Sequence, residues 1–209
     1  MPHCTSTALV VALTTGLLAC GGDKGSVDTA TANPLSQLTS AVSSIEKMSN
    51  SMAATANRKP VPPVSYKVLL DYLPRSIDGM KADEPKGETT AYGEWQYSSA
   101  EGRYHSEDGN KSVKVGLFDY AHIPLLYAPF EMIMNMKMST ESTEGYERST
   151  KIAGFPAHEK WTKDGQDNEV TIMVADRFVL TTTTHGLGED SAKKLAESLD
   201  LKGLASKGN

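Results

Sequence analysis

Cysteine is almost absent from this chain: its 209 residues contain two, Cys4 and Cys20, both within the first twenty positions. Whatever folds after Cys20 therefore has no disulfide, no cysteine nucleophile and no thiolate metal site. The chain also lacks a basic run, and its formal net charge is −5. Phosphate repulsion would oppose binding to DNA or RNA, so the sequence excludes nucleic acid as a partner.

Long hydrophobic runs are missing too. The apolar stretch at residues 8–19 is shorter than the ~18 residues that a transmembrane helix needs, and no other stretch approaches that length. It has instead the length of the apolar region of a secretory signal and ends in the small residue Ala19. The sequence therefore predicts export of the chain rather than a membrane-spanning helix.

The residues around Cys20 resemble the lipobox of bacterial lipoproteins, because Leu17, Leu18 and Ala19 precede the cysteine directly. The resemblance implies cleavage before Cys20 and acylation of its sulfur and its new amino group, with palmitate expected among the acyl chains. Gly21 and Gly22 follow where an aspartate would favour retention in the inner membrane. The resemblance thus favours an outer-membrane lipoprotein facing the periplasm; the alternative is an ordinary secreted protein with a chance cysteine.

The composition along the chain predicts five segments: a signal peptide (1–19), a flexible tether (20–33), an amphipathic helix (34–58), a Pro-rich connector (59–64) and an α+β domain (65–205). Asn33 is a suitable cap for the helix, and Pro34 suits its first position. Its apolar residues recur at spacings of three and four: Leu38, Ala41, Ile45, Met48, Met52 and Ala56. Such a helix either packs on the domain or pairs with another chain.

Helix and strand patterns within residues 65–205 predict one antiparallel sheet with flanking helices, preceded by the separate amphipathic helix. Residues 169–175 are apolar on both faces, which predicts a central strand covered on both sides. The predicted elements, in chain order, are a short helix capped by Ser65, strands from 94 to 117, a helix at 125–138, strands at 146–153, 157–162, 169–175 and 178–184, and a helix from Ser191 to Leu199.

Three stretches, 145–148, 154–157 and 176–179, resemble a pattern found in uncharacterised exported bacterial proteins whose sheets look like the PsbP-like fold. The similarity covers about residues 65–204, and its motifs are turn and strand chemistry. It implies a shape and an envelope setting and brings no catalytic residues with it.

Every second residue from Met132 to Met138 is a methionine, which resembles the methionine motifs of envelope proteins that handle copper. Thioethers are soft ligands for Cu(I). On a strand all four sulfur atoms would share one face, whereas on a helix only Met132 with Met136, and Met134 with Met138, come close. Pro129 favours the helix and a packing role. We therefore predict no cofactor; the five candidate ligands for copper are Met132, Met134, Met136, Met138 and His122.

Motifs for catalysis are absent or broken. The chain has no nucleophile elbow, P-loop or dinucleotide fingerprint. His158 and Glu159 begin like a zinc-protease helix, but Thr162 stands where the second histidine is required, and a strand would put the two side chains on opposite faces. The oxygen-rich segments 107–110 and 164–169 could offer ligands to calcium, but they also have the residues that tight turns require.

The sequence therefore predicts a non-enzymatic, lipid-anchored envelope protein whose domain binds a protein or another partner. A methionine-based copper carrier and a hydrolase whose site is assembled only in three dimensions are the alternatives. A buried carboxylate near a histidine in a cleft would favour the hydrolase.

Overall fold

The computed structural model describes residues 59–121 and 123–208, together with Asn50, Ala53 and Asn57. The predicted signal peptide, the tether and most of the amphipathic helix lie outside the described residues, as do Cys20 and His122. No helix in the described part of the chain has the length and apolar character needed to cross a membrane.

Nine strands form one antiparallel sheet, which confirms the α+β class. The strands are β1 (Lys81–Ala82), β2 (Lys86–Tyr92), β3 (Trp95–His105), β4 (Ser112–Asp119), β5 (Ser139–Ser142), β6 (Gly145–Ile152), β7 (Phe155–Thr162), β8 (Asp167–Val174) and β9 (Phe178–His185). Their spatial order is β1-β3-β4-β9-β8-β7-β6-β5, and β2 pairs with β3 beside β1. β8 lies inside the sheet between β9 and β7, as its two apolar faces predict.

The helices of the described region are α1 (Tyr66–Leu70), α2 (Pro124–Asn135), α3 (Ser191–Ser198) and α4 (Leu201–Ser206). Ser65 caps α1 as predicted, and its side chain accepts a hydrogen bond from the amide of Lys67 at 3.4 Å. The prediction for α2 extended to residue 138, but the helix ends at Asn135. Lys137 has a φ of +43°, a conformation that no helix continues through.

The main core lies on one face of the sheet, beneath α1, α3 and α4. Leu69 of α1, Ala192 and Ala196 of α3, and Leu201 and Leu204 of α4 are all buried there. The opposite face has a smaller cluster, in which Tyr127 of α2 covers Met173 and Val179. Among the described helices, α2 is the one that packs on this second face, and it covers only part of it.

A buried ion pair fixes the connector to the domain. Arg177 donates two hydrogen bonds of 2.8 Å to Asp119, one to each carboxylate oxygen. Asp119 also accepts from the amide of Val64 at 2.6 Å, and Arg177 donates to the carbonyl of Pro62 at 2.9 Å. The amide of Val61 donates to the carbonyl of Ala121 at 3.1 Å. The chain from residue 61 to residue 64 therefore lies against the start of α2.

Candidate functional site

The methionines from Met132 to Met138 lie in different environments, because the helix directs those it carries to different sides. Met134 packs against Tyr127, Met173 and Val179, whereas Met132 and Met136 are exposed. Met138 follows the helix and precedes β5. The helical interpretation is thus confirmed for Met132 and Met134, and Met134 has the predicted packing role. In the described part of the chain no three His, Cys, Asp or Glu side chains are grouped to hold a metal ion.

His158 and Glu159 lie on a strand, as predicted, and face opposite sides of the sheet. Glu159 is buried and accepts hydrogen bonds from the Tyr146 hydroxyl at 2.8 Å and from Arg148 Nε at 3.0 Å. Burial, together with the hydrogen bond to Glu159, raises the pKa of Tyr146. The Nε2 of His158 lies 3.1 Å from Glu147 on the other face, without hydrogen-bond geometry. The buried carboxylate and this histidine therefore do not form one site.

The acidic segment 107–110 forms a turn in which neighbouring groups donate hydrogen bonds to the carboxylate of Asp108. Asp108 accepts hydrogen bonds from the Ser106 hydroxyl at 2.6 Å and from the Asn110 amide at 3.1 Å. These bonds lower the pKa of Asp108 to about 2. Because the carboxylate closes its own turn, the segment has the turn chemistry that the sequence favoured over calcium.

A serine, a histidine and an aspartate lie side by side at one end of the sheet, a combination that the sequence did not indicate. Ser112 of β4 is directly opposite His185 of β9. His185 Nδ1 lies 2.7 Å from Asp167 of β8. The side chains of His185 and Asp167 are 49% and 54% exposed. The row of Ser112, His185 and Asp167 therefore faces water on the sheet surface. Catalytic groups of this kind normally act in a site from which water is excluded.

A cleft of about 570 Å³ lies between the C-terminal half of α2 and the β6–β7 edge of the sheet. α2 contributes Met134 and the buried Glu131, and β6 contributes residues 149–151. Pro156 and Met173 also line the cleft, as do the exposed Lys137 and Asp176. Three of its ten lining residues, Met134, Pro156 and Met173, are apolar, and the other seven are polar or charged. The cleft is therefore a mainly polar concavity with an apolar strip, and it combines apolar contact with polar groups as binding sites do.

The floor of the cleft is one row of cross-strand neighbours. Lys151 of β6 is opposite Pro156 of β7, and the β7–β8 register places Pro156 opposite Met173. Met173 in turn is opposite Val179 of β9. Directly opposite residues point to the same face of a sheet. The row therefore extends from the apolar cluster under α2 to the outer edge of β6.

That outer edge of β6 is open at Lys151. β5 pairs with β6 only as far as Arg148, and the amide of Ser149 then donates to the carbonyl of Met138 at 2.7 Å. Backbone groups alternate in direction along a strand, so the N–H and C=O of Lys151 point the same way as those of Ser149. Among the described strands, none pairs with β6 at that position. Within the described part of the chain, the backbone N–H and C=O of Lys151 thus have no partner at the edge of the cleft.

Backbone in the left-handed region borders this cleft. Lys137 has a φ of +43°, and Ala175 and Asp176 form the β8–β9 turn with φ values of +52° and +50°. Non-glycine residues are uncommon in this region, but a tight hairpin turn such as that between β8 and β9 requires it, so the values of Ala175 and Asp176 describe the turn that closes this end of the cleft. The sequence indicated the turn at Asp176 but gave no signal for Lys151, because the open edge depends on where β5 ends.

Comparison of the chain with protein-family models, with curated proteins and with solved structures finds no match in any of the three. The resemblances to bacterial lipoproteins and to the PsbP-like sheet therefore stay predictions from the sequence.

Proposed function

We propose that this chain is a lipid-anchored protein of the bacterial envelope, and that its α+β domain is a non-enzymatic module that binds an extended segment of a partner protein in the cleft beside α2. The open backbone edge of Lys151 inside that cleft carries the proposal. The apolar stretch at residues 8–19 and the lipobox-like residues before Cys20 support the location, with the outer membrane favoured.

The geometry of the cleft suits the addition of one strand. An extended peptide beside β6 pairs its backbone with the N–H and C=O of Lys151, as partners of open sheet edges do. Its residue opposite Lys151 continues the row of Pro156 and Met173, so an apolar side chain is favoured there. Methionine side chains adapt to different apolar shapes, which suits Met134 and Met173 to this contact.

The two groups of ionisable side chains that resemble parts of catalytic sites both lie outside the cleft. Glu159 is held by Tyr146 and Arg148 on the face of the sheet opposite the cleft. The row of Ser112, His185 and Asp167 lies at the far end of the strands and is exposed to water. Neither group is positioned to act on a molecule in the cleft.

The test compares Lys151→Pro with Lys151→Ala. Both variants lose the lysine side chain, but only proline removes the outward N–H, and an edge strand tolerates proline where the N–H faces solvent. Random decapeptides selected on the parent protein are the probe. We expect Lys151→Ala to retain their binding and Lys151→Pro to weaken it about fivefold, since a hydrogen bond contributes about 1 kcal/mol.

Thermal melting of the two variants checks that both domains fold. Equal peptide affinity of folded Lys151→Pro and Lys151→Ala would contradict strand addition at this edge. Failure to select any peptide on the parent protein would contradict the peptide-binding function itself.

A further inference from the structure

The outer surface of α2 has the opposite polarity from that expected of a surface helix. Leu125, Met132 and Met136 are 67%, 41% and 50% exposed, and Pro129 between them is exposed as well. The one charged residue of the helix, Glu131, is buried. A helix at the surface of a domain normally directs its polar side outward. We call these four exposed residues the outer stripe of α2; their spacings of four, three and four place them along one side of the helix.

The chain enters the domain at the N-terminal end of this same helix. The amide of Val61 is bonded to the carbonyl of Ala121, two residues before Ile123 caps α2. Ala53 is helical, and the amide of Asn57 donates to its carbonyl at 3.2 Å, as in a helical turn. The four residue-to-residue steps from 57 to 61 span at most about 14 Å when the chain is fully extended. The predicted helix at 34–58 therefore ends close to the beginning of α2.

The last four apolar positions of the predicted helix, from Ile45 to Ala56, span the same length as the outer stripe of α2 and have similar spacings of three and four. α2 is twelve residues long, about 18 Å. An antiparallel neighbour ending beside its N-terminus offers an equal length from residue 45 to residue 56. In that register the four apolar positions of the two helices face each other in order, as Ala56 with Leu125, Met52 with Pro129, Met48 with Met132 and Ile45 with Met136.

We propose that residues 38–56 form a helix that packs antiparallel on the outer stripe of α2 in the same molecule. This packing covers the apolar side chains that α2 otherwise exposes. It also directs the chain before residue 38 toward the C-terminal end of α2, so the segment leading to Cys20 leaves the domain beside the cleft. The packing itself does not depend on the proposed peptide binding or on the lipid.

Disulfide trapping tests the packing, since the chain has no cysteine after Cys20. The full chain with Cys4→Ser and Cys20→Ser is the background. We expect Met48→Cys with Met132→Cys to form an intramolecular disulfide under mild oxidation, at a rate independent of protein concentration. The pair Ile45→Cys with Met136→Cys is a second trap for the same register. All four positions are on the two stripes, and the melting temperature of each reduced variant verifies folding.

The matched control is Asn50→Cys with Met132→Cys. Residue 50 lies close to residue 48 along the helix but about 200° around it, on the side away from the stripe. We expect the control disulfide to form at least tenfold more slowly. Equal rates for residues 48 and 50 would show that the segment is not packed on α2. Disulfide-linked dimers that form faster at higher protein concentration would assign the outer stripe to a second copy of the chain and overturn the proposal.

Discussion

At the scale of the single residue, the pair formed by Arg177 and Asp119 is a buried ion pair that joins the end of β4 to the turn before β9. Both side chains are almost completely buried, at 7% and 0% exposure, and the two oxygens of Asp119 also accept the amides of Val64 and Ala121. The sequence indicated only a turn at Asp176 and Arg177. The partner of Arg177 is 58 positions away, and its identity depends on the pairing of β4 with β9 rather than on any local pattern.

We expect Arg177→Met to destabilise the domain by about 3–5 kcal/mol, because it leaves the Asp119 carboxylate buried without its ionic partner. Chemical denaturation measures the free energy of unfolding. The control is Arg103→Met, which removes the exposed ion pair with Glu101 and costs less than about 1 kcal/mol. Similar losses for the two variants would mean that the buried pair contributes no more than a surface one.

Residues that close local turns were easier to predict than residues of the candidate site. The hydrogen bonds of Asp108 and Ser65 lie within a few positions along the chain, so short sequence patterns predicted the turn and the helix cap. Lys151, in contrast, is an ordinary polar residue of an amphipathic strand. Its role depends on β5 ending beside Arg148, which no pattern around Lys151 encodes.

At the scale of the element, the sequence predicted the strands that bury one face and missed the ones that do not. The four strands from β6 to β9 were predicted because turn residues separate clear runs of apolar and β-branched side chains. β1 and β5 are exposed at every residue, and β2 at most of them. An edge strand of that kind shows no alternation of polar and apolar residues, since neither of its faces is buried.

The connector is an element whose contribution can be separated from that of the preceding helix. A chain that begins at Val61 loses the stripe from Leu38 to Ala56 but keeps the contacts of Pro62 and Val64. We expect it to melt cooperatively and to lose less than about 2 kcal/mol, because two alanines and two methionines among six stripe residues bury little area.

A chain that begins at Ser65 also loses the amide of Val64 and the carbonyl of Pro62. It leaves Asp119 and Arg177 each without one hydrogen-bond partner. We expect this to lower the free energy of unfolding by about 1–3 kcal/mol more. Urea denaturation of the two truncated chains measures the difference. If the chain from Val61 unfolds without cooperativity, the domain begins earlier than residue 61; if the two chains are equally stable, the connector contributes nothing.

At the scale of the whole molecule, the fold class and the proposed cellular address were predicted from different kinds of sequence signal. The α+β class was predicted from patterns spread over the domain, and the nine-stranded sheet confirms it. The proposed address rests on the twelve-residue stretch 8–19 and one cysteine, which are independent of how the domain folds. The candidate binding cleft could be identified only from the structure, because its lining comes from α2, β6, β7 and the β8–β9 turn, which are separate along the chain.

The lipid anchor is predicted to depend on Cys20 alone. Cys20→Ser removes the sulfur that the lipobox resemblance assigns to acylation, so we expect the variant to lose labelling with radioactive palmitate and to leave the membrane fraction. Cys4→Ser is the matched control, because the proposed cleavage before Cys20 would remove residue 4; its labelling and fractionation should equal those of the parent. Membrane-bound and labelled Cys20→Ser would contradict the lipoprotein assignment. An unlabelled parent protein in the soluble fraction would instead support the ordinary secreted protein, because then no acyl chain is attached at Cys20.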